Sequence, residues 1–312
     1  MGYGGYSMED HAAIVSTRAA IPVETVFHHS LHSLMDPRNV NLRESRDSED
    51  HPNSLPIAFV LDETGSMGDI PKDLAKKELP QFMQVLMNVG VPDPQVLFMA
   101  VGDAITGYEK APLQVGQFES TASGMDQWLT WCFLEGGGGG NGGESYDLAA
   151  YFLSRHTETD NFVRRGRKGY AIFTGDDNPF PFVQANLVRT WMSSKINKDI
   201  PTGHIFQELG EKYHTFFLIP YNHGHQKVVA RWRELLGDRV IQLYADGITS
   251  YVSAGLVALT EGKVSDLIAY ADSLKANGVP SDLLGPIVRS LTPYANSIGK
   301  SGTPPPDFRE NF

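Results

Sequence analysis

Cysteine is nearly absent from this sequence: Cys132 is the only one in 312 residues. A single thiol excludes an intramolecular disulfide and any multi-cysteine metal centre. Its setting, Trp128-Leu-Thr-Trp-Cys-Phe-Leu134, is apolar, so it reads as a small packing residue. Long hydrophobic runs are missing as well, and none approaches the roughly 20 residues needed to cross a bilayer. Met1-Gly-Tyr-Gly-Gly-Tyr6 has neither the charged nor the apolar region of a secretion signal, and position 6 offers no Ser or Thr to a myristoylation motif. The expectation is a cytoplasmic protein with no membrane partner. Positive charge is also in deficit: 26 Lys and Arg stand against 37 Asp and Glu, a net −11. That balance argues against broad nucleic-acid or anionic-membrane binding and suits the binding of cations.

Along the chain, residues 1–54 show little periodicity and are rich in Gly, His, Asn, Asp and Arg. A short helix is predicted near Met8–Ala20, and Arg43-Glu-Ser-Arg-Asp-Ser-Glu-Asp-His-Pro-Asn-Ser-Leu-Pro56 reads as an extended polar arm. From Ile57 onward, short apolar runs alternate with helical patterns. Ile57–Leu61 and Val96–Val101 are continuous apolar runs, as strands buried on both faces are, and Tyr170–Thr174, Thr215–Ile219 and Val240–Tyr244 are three further short strand candidates. Leu113–Phe118 alternates, which fits an edge strand. The stretches 71–89, 122–134, 145–153, 183–195, 205–212, 228–236 and 248–260 carry helical spacing. This alternation predicts an α/β fold, a doubly wound and mostly parallel open sheet, within one domain over 55–260. Two further helices and a Pro-rich tail make a C-terminal extension over 261–312.

In such a sheet, ligands bind beyond the carboxyl ends of the strands where the winding reverses. Three polar or glycine-rich loops fall at such ends. The first carries oxygen acceptors at alternate positions, Asp62, Thr64 and Ser66, directly after an apolar strand. An extended turn aims every second side chain the same way, and an all-oxygen set suits Mg²⁺, Mn²⁺ or Ca²⁺. The same residue types also make ordinary turns and helix caps. The second loop is Gly136-Gly-Gly-Gly-Gly-Asn-Gly-Gly-Glu-Ser145, either a flexible linker or a loop that lets backbone approach a ligand closely. It lacks the Lys of a phosphate-binding loop. The third, Thr174-Gly-Asp-Asp-Asn178, sets two acids just past a buried strand, where they need water, donors or a cation.

Residues 55–260 resemble a von Willebrand factor type A domain, whose metal-ion-dependent adhesion site is built on D-x-[ST]-x-S, here Asp62-Glu-Thr-Gly-Ser66 followed by Met67-Gly68. The resemblance implies a Rossmann-like fold and a divalent cation held by Asp62, Thr64 and Ser66. It also implies Asp176, or its neighbour Asp177, holding a metal-bound water. The family's second loop usually supplies Thr; here Glu144 takes that place, as in the integrin β form, with Asn141 before it. Asp69 falls where that form places a ligand for a neighbouring cation, and a Gly at 175 replaces the usual Ser or Thr. Three carboxylates around one dication leave the locality at about −1, which implies a second cation nearby or a neutral partner ligand. The implied function is cation-dependent protein binding as an adaptor or assembly factor, without enzymatic activity, with an AAA+ ATPase or a large assembly as the partner.

A rival from another class reads Asp62-Glu-Thr-Gly-Ser-Met67 and Thr174-Gly-Asp176 as a haloacid-dehalogenase-type phosphotransferase with Asp62 as nucleophile. Its missing second acid, Ser250 in Ala245-Asp-Gly-Ile-Thr-Ser250, counts against it, and it leaves the glycine run without a role. A third possibility is a structural component of an assembly, contacted through the 1–54 and 261–312 arms. His28, His29, His32, His223 and His225 show no zinc-ligand spacing, and Arg164, Arg165, Arg167 and Lys168 read as a solvated basic loop.

Overall fold

The computed structural model describes residues 4–19, 27–67, 78–137, 140–223 and 226–302. Six strands make the central sheet: β1 (Leu55–Asp62), β2 (Pro94–Val101), β3 (Leu113–Val115), β4 (Gly169–Thr174), β5 (Tyr213–Ile219) and β6 (Val240–Gln242). Their order is β6-β5-β4-β1-β2-β3, every pairing parallel except β2 with β3. The expected edge strand is therefore present, antiparallel and short.

Helices cover both faces, which is why the inner strands are apolar throughout. They are α1 (Met8–Ala19), α2 (Leu79–Asn88), α3 (Ala122–Thr130), α4 (Tyr146–Arg155), α5 (Ala185–Trp191), α6 (Thr202–Lys212), α7 (Gln226–Leu236), α8 (Thr249–Thr260), α9 (Leu267–Ala276) and α10 (Ser281–Ser297). Ile57, Phe59 and Leu61 of β1 turn to the face packed by α2, α3, α8, α9 and α10. Ala58 and Val60 turn to the face packed by α4, α5, α6 and α7. This is the doubly wound α/β fold expected from the alternation of patterns. Residues 71–77 of the helix expected over 71–89, and the tail from 303, lie outside the described residues. Among the described residues no helix is long and apolar enough to cross a membrane.

The polar arm is pinned down by pairing that its composition does not announce. Arg43–Ser45 runs parallel to Thr157–Thr159, and Arg46 bonds Asp160 at 3.0 Å. Asp47 accepts from the Ser54 hydroxyl at 2.7 Å and from Arg165 at 2.5 Å. Arg164 faces Asp160 at 3.4 Å, Arg167 pairs with Glu261, and Lys168 donates to the Gly210 carbonyl. The basic loop is thus absorbed by internal pairing. Asp47→Ala removes the anion between Arg165 and Ser54, and a loss of about 2 kcal/mol is expected in urea denaturation.

Candidate metal centre

The sheet order puts β2 on one side of β1 and β4 on the other, so the winding reverses at β1. The carboxyl ends of β1 and β4 are where such folds open a crevice, and three of the sequence-selected loops converge there. The first loop is tied to the second by Gly65 N–H donating to the Gly137 carbonyl at 2.7 Å. A Cβ at Gly65 would sit 3.1 Å from the Gly136 carbonyl, so a side chain there would crowd this contact. The second loop is tied to the third by a two-residue parallel ladder, Gly143 against Asn178 and Glu144 against Pro179. Gly136, Gly140 and Gly142 have φ of +65°, +62° and +76°, values that favour glycine. Where the run could have been a loose linker, its described part is braced at both ends.

Within this cradle the oxygens form a chain. Asp62, wholly buried, accepts on Oδ1 from Thr64 N–H at 2.9 Å and from Thr64 Oγ1 at 2.6 Å. Its Oδ2 accepts from the Tyr146 hydroxyl at the start of α4. Thr64 Oγ1 lies 3.1 Å from Ser66 Oγ, which donates to Asp176 Oδ1 at 2.9 Å. Asp176 Oδ2 lies 3.1 Å from His223 Nδ1. Thr64 is buried, whereas Ser66 is exposed at the mouth.

Glu144 is buried, and its Oε2 has no hydrogen-bond partner. Burial first, then the charges of Asp62, Glu109 and Asp103, push its carboxyl up to about 10. Burial raises Asp62 to about 6, with Asp176 adding and the Thr64 and Tyr146 hydrogen bonds opposing. Glu109 rises to about 7, again mainly through burial, and Glu63 stands well above the carboxylate range for the same reason. None of these four acids pairs with a described Lys or Arg. Desolvated carboxylates without a basic partner are costly, and a hard dication is the ligand class that relieves them.

A divalent cation fits these residues on two counts: every donor is oxygen, and two buried carboxylate oxygens, Glu144 Oε2 and Glu109 Oε1, lack a hydrogen-bond partner. Asp62, Thr64, Ser66 and Glu144 would hold it, with Asp176 beside Ser66. Among the described residues no group of three or more His, Cys, Asp and Glu is arranged for a metal, so a centre here depends on the two hydroxyls as well.

No protein-family model matches the chain, and no curated protein matches it. Similar solved structures include the pilus adhesin SpaC from Lactobacillus rhamnosus GG in its open conformation, at TM-score 0.43 and 12% identity over 74% of this chain and 31% of that one. A von Willebrand factor type A structure from Catenulispora acidiphila overlaps at 0.41 and 13% identity, over 67% and 43%. Proximal thread matrix protein 1 from the mussel byssus, with a zinc-occupied MIDAS motif, overlaps at 0.38 and 11%, over 69% and 50%. The chain spans about a third to a half of the length of these structures.

Of the other residues selected from sequence, Asn141 donates through Nδ2 to Asp103 Oδ2 at 2.9 Å, on the Glu144 side of the cradle. Asp177 turns its side chain to Asn178 N–H at 2.7 Å, while its carbonyl accepts from Trp232 Nε1 at 2.9 Å. Asp69 lies outside the described residues. Of the histidines, His28 and His32 meet edge to face at 4.9 Å and His32 stacks on Trp131 at 4.1 Å, His223 faces Asp176 instead, and His225 lies outside the described residues.

Sequence reasoning passed over Asp103, Glu109 and Tyr146, and weighed His223 only as a zinc ligand that lacked partner spacing. Asp103 carried a usable signal, since Val101-Gly-Asp103 places an acid just past a buried strand as Asp62 and Asp176 do. Glu109 carried none. It folds back from the same loop, its Oε2 accepting from Asp103 N–H at 2.7 Å, beneath Gly102 and Gly137, where a Cβ would fall within 3 Å of its carboxylate.

Proposed function

We propose that this chain is a divalent-cation-dependent protein-binding protein, with Asp62, Thr64, Ser66 and Glu144 as metal ligands and Asp176 supporting a bound water. The observation that carries this is the buried, partnerless Glu144 Oε2 in a cradle of oxygen donors. A bound Mg²⁺ would supply a positive centre with a coordination position open to an oxygen of the partner. The rest falls to the chain's own side chains. Asp62 is held at both oxygens, the Thr64 and Ser66 hydroxyls lead outward to the exposed mouth, and the buried acids keep the locality negative. That charge favours a neutral partner oxygen over a carboxylate. Tyr108 (81% exposed) in the loop after β2 and Tyr221 (39%) in the loop after β5 belong to loops at the same end of the sheet, and exposed aromatics are what protein interfaces use.

Binding without turnover is part of the proposal. A phospho-accepting Asp62 would need a second acid at the place that Ser250 occupies in this chain. Ser250 faces α2 instead, its N–H donating to Glu78 at 2.8 Å. A second cation beside Glu144, Asn141 and Asp103, an adaptor role in an assembly and a cytoplasmic setting belong to the same reading.

Isothermal titration with Mg²⁺ is expected to give saturable binding with more than one ion per chain, abolished in Asp62→Ala. A single-site isotherm would remove the second cation, and no binding would remove the proposal. Capture of a partner that persists unchanged in chelator would separate binding from the metal.

A further inference from the structure

Asp176 is held from two directions. Ser66 Oγ donates to its Oδ1 at 2.9 Å, and His223 Nδ1 lies 3.1 Å from its Oδ2. Ser66 belongs to the proposed ligand set, whereas His223 comes from the loop that follows β5, two strands away from β1 in the sheet. Asn222, just before it, has φ +60°, a left-handed conformation that an asparagine adopts at modest cost and that shapes this turn. The turn closes with His223 N–H donating to the Pro220 carbonyl at 3.1 Å. A carboxylate oxygen can only accept, so Nδ1 is the donor in this pair.

Resting on the metal reading above, we propose that His223 is a positioning residue of the metal centre. Its Nδ1–H fixes Asp176 across the mouth so that the other carboxylate oxygen stays on Ser66. Released from His223, Asp176 is free to rotate away from Ser66 and so loses its place beside the proposed ligands. The arrangement also links the loop carrying Tyr221 to the metal. Partners that orient a metal site from outside the ligand set commonly change metal affinity by about 10- to 100-fold when removed.

The test measures Mg²⁺ affinity by titration calorimetry, and Mn²⁺ by its electron spin resonance spectrum, in the full chain. His223→Asn places an amide N–H where Nδ1 stands, His223→Gln places it one bond further out, and His223→Leu removes it. The expected result is near wild-type affinity for His223→Asn and a loss of about 10-fold or more for His223→Gln and His223→Leu. All three variants should keep the wild-type circular dichroism, since the imidazole is 31% exposed and lies at the surface. The proposal is overturned if Gln and Leu bind as wild type does, or if Asn is as weak as Leu. If wild type itself binds no cation while folded, the metal reading fails and takes this role with it. If wild type binds and Asp62→Ala does not, a flat series across position 223 condemns His223 alone.

Discussion

Chelated protein is expected to lose stability steadily as the pH rises from about 4.5 to 8, and Mg²⁺ is expected to stabilise it far more at pH 8 than at pH 5. The sign follows from the direction of the shifts. Asp62 is raised from its ordinary 3.8 to about 6, Glu109 from 4.5 to about 7 and Glu144 from 4.5 to about 10, burial being the first cause in each. The folded state therefore keeps protons that the unfolded chain releases. A raised acid contributes its stability in full below its unfolded value, and that contribution is lost as pH climbs through the folded value. For Asp62 the interval corresponds to a loss on the order of 3 kcal/mol. A dication binds the ionised carboxylates of the folded state, so it removes the penalty where protons have left, and its stabilisation grows with pH. Urea denaturation at several pH values, with chelator and with Mg²⁺, reads both slopes. A chelated profile that is flat, or two profiles that run parallel, would contradict the assignment of these acids to a cation site.

The fold was legible because its strands are buried on both faces. Runs such as Ile57–Leu61 and Tyr170–Phe173 admit no polar residue, and helices must then cover each side. The same burial made Asp62 and Asp176 conspicuous, since each is an acid at the point where an apolar run stops. What stayed hidden depends on contacts between distant segments. Arg43–Ser45 and Thr157–Thr159 make a three-residue ladder, too short for a period to show. Glu109 lies in a loop where any polar residue would look ordinary. Tyr146 reads as an apolar member of α4, and only tertiary structure sends its hydroxyl to Asp62. His223 was visible as a residue type, but its partner is 47 positions away.

Gly175→Ala is expected to be among the most damaging single changes near the centre, even though it adds one methyl group. A Cβ at 175 would stand 1.9 Å from the Tyr146 hydroxyl oxygen and 2.7 Å from Cζ. The tyrosine ring has no room to withdraw, being fully buried with its edges against Phe217 at 5.3 Å and Trp232 at 5.4 Å. Overpacking of this kind costs about 1–3 kcal/mol or more. Displacing the hydroxyl also strips Asp62 Oδ2 of its donor, so a second penalty of about 1–3 kcal/mol follows for a buried acceptor left unpaired. This gives a physical reason for the glycine at a place where the resembling family usually has Ser or Thr: in this chain a tyrosine hydroxyl occupies the space that a side chain at 175 would need. Tyr146→Phe should separate the two effects, because it removes the donor without adding a clash. In the double variant the nearest clashing atom is gone and the hydrogen bond is lost only once, so the double should be less destabilised than the sum of the singles by roughly 1 kcal/mol or more. Additive losses in urea denaturation would mean that Gly175 and Tyr146 act independently.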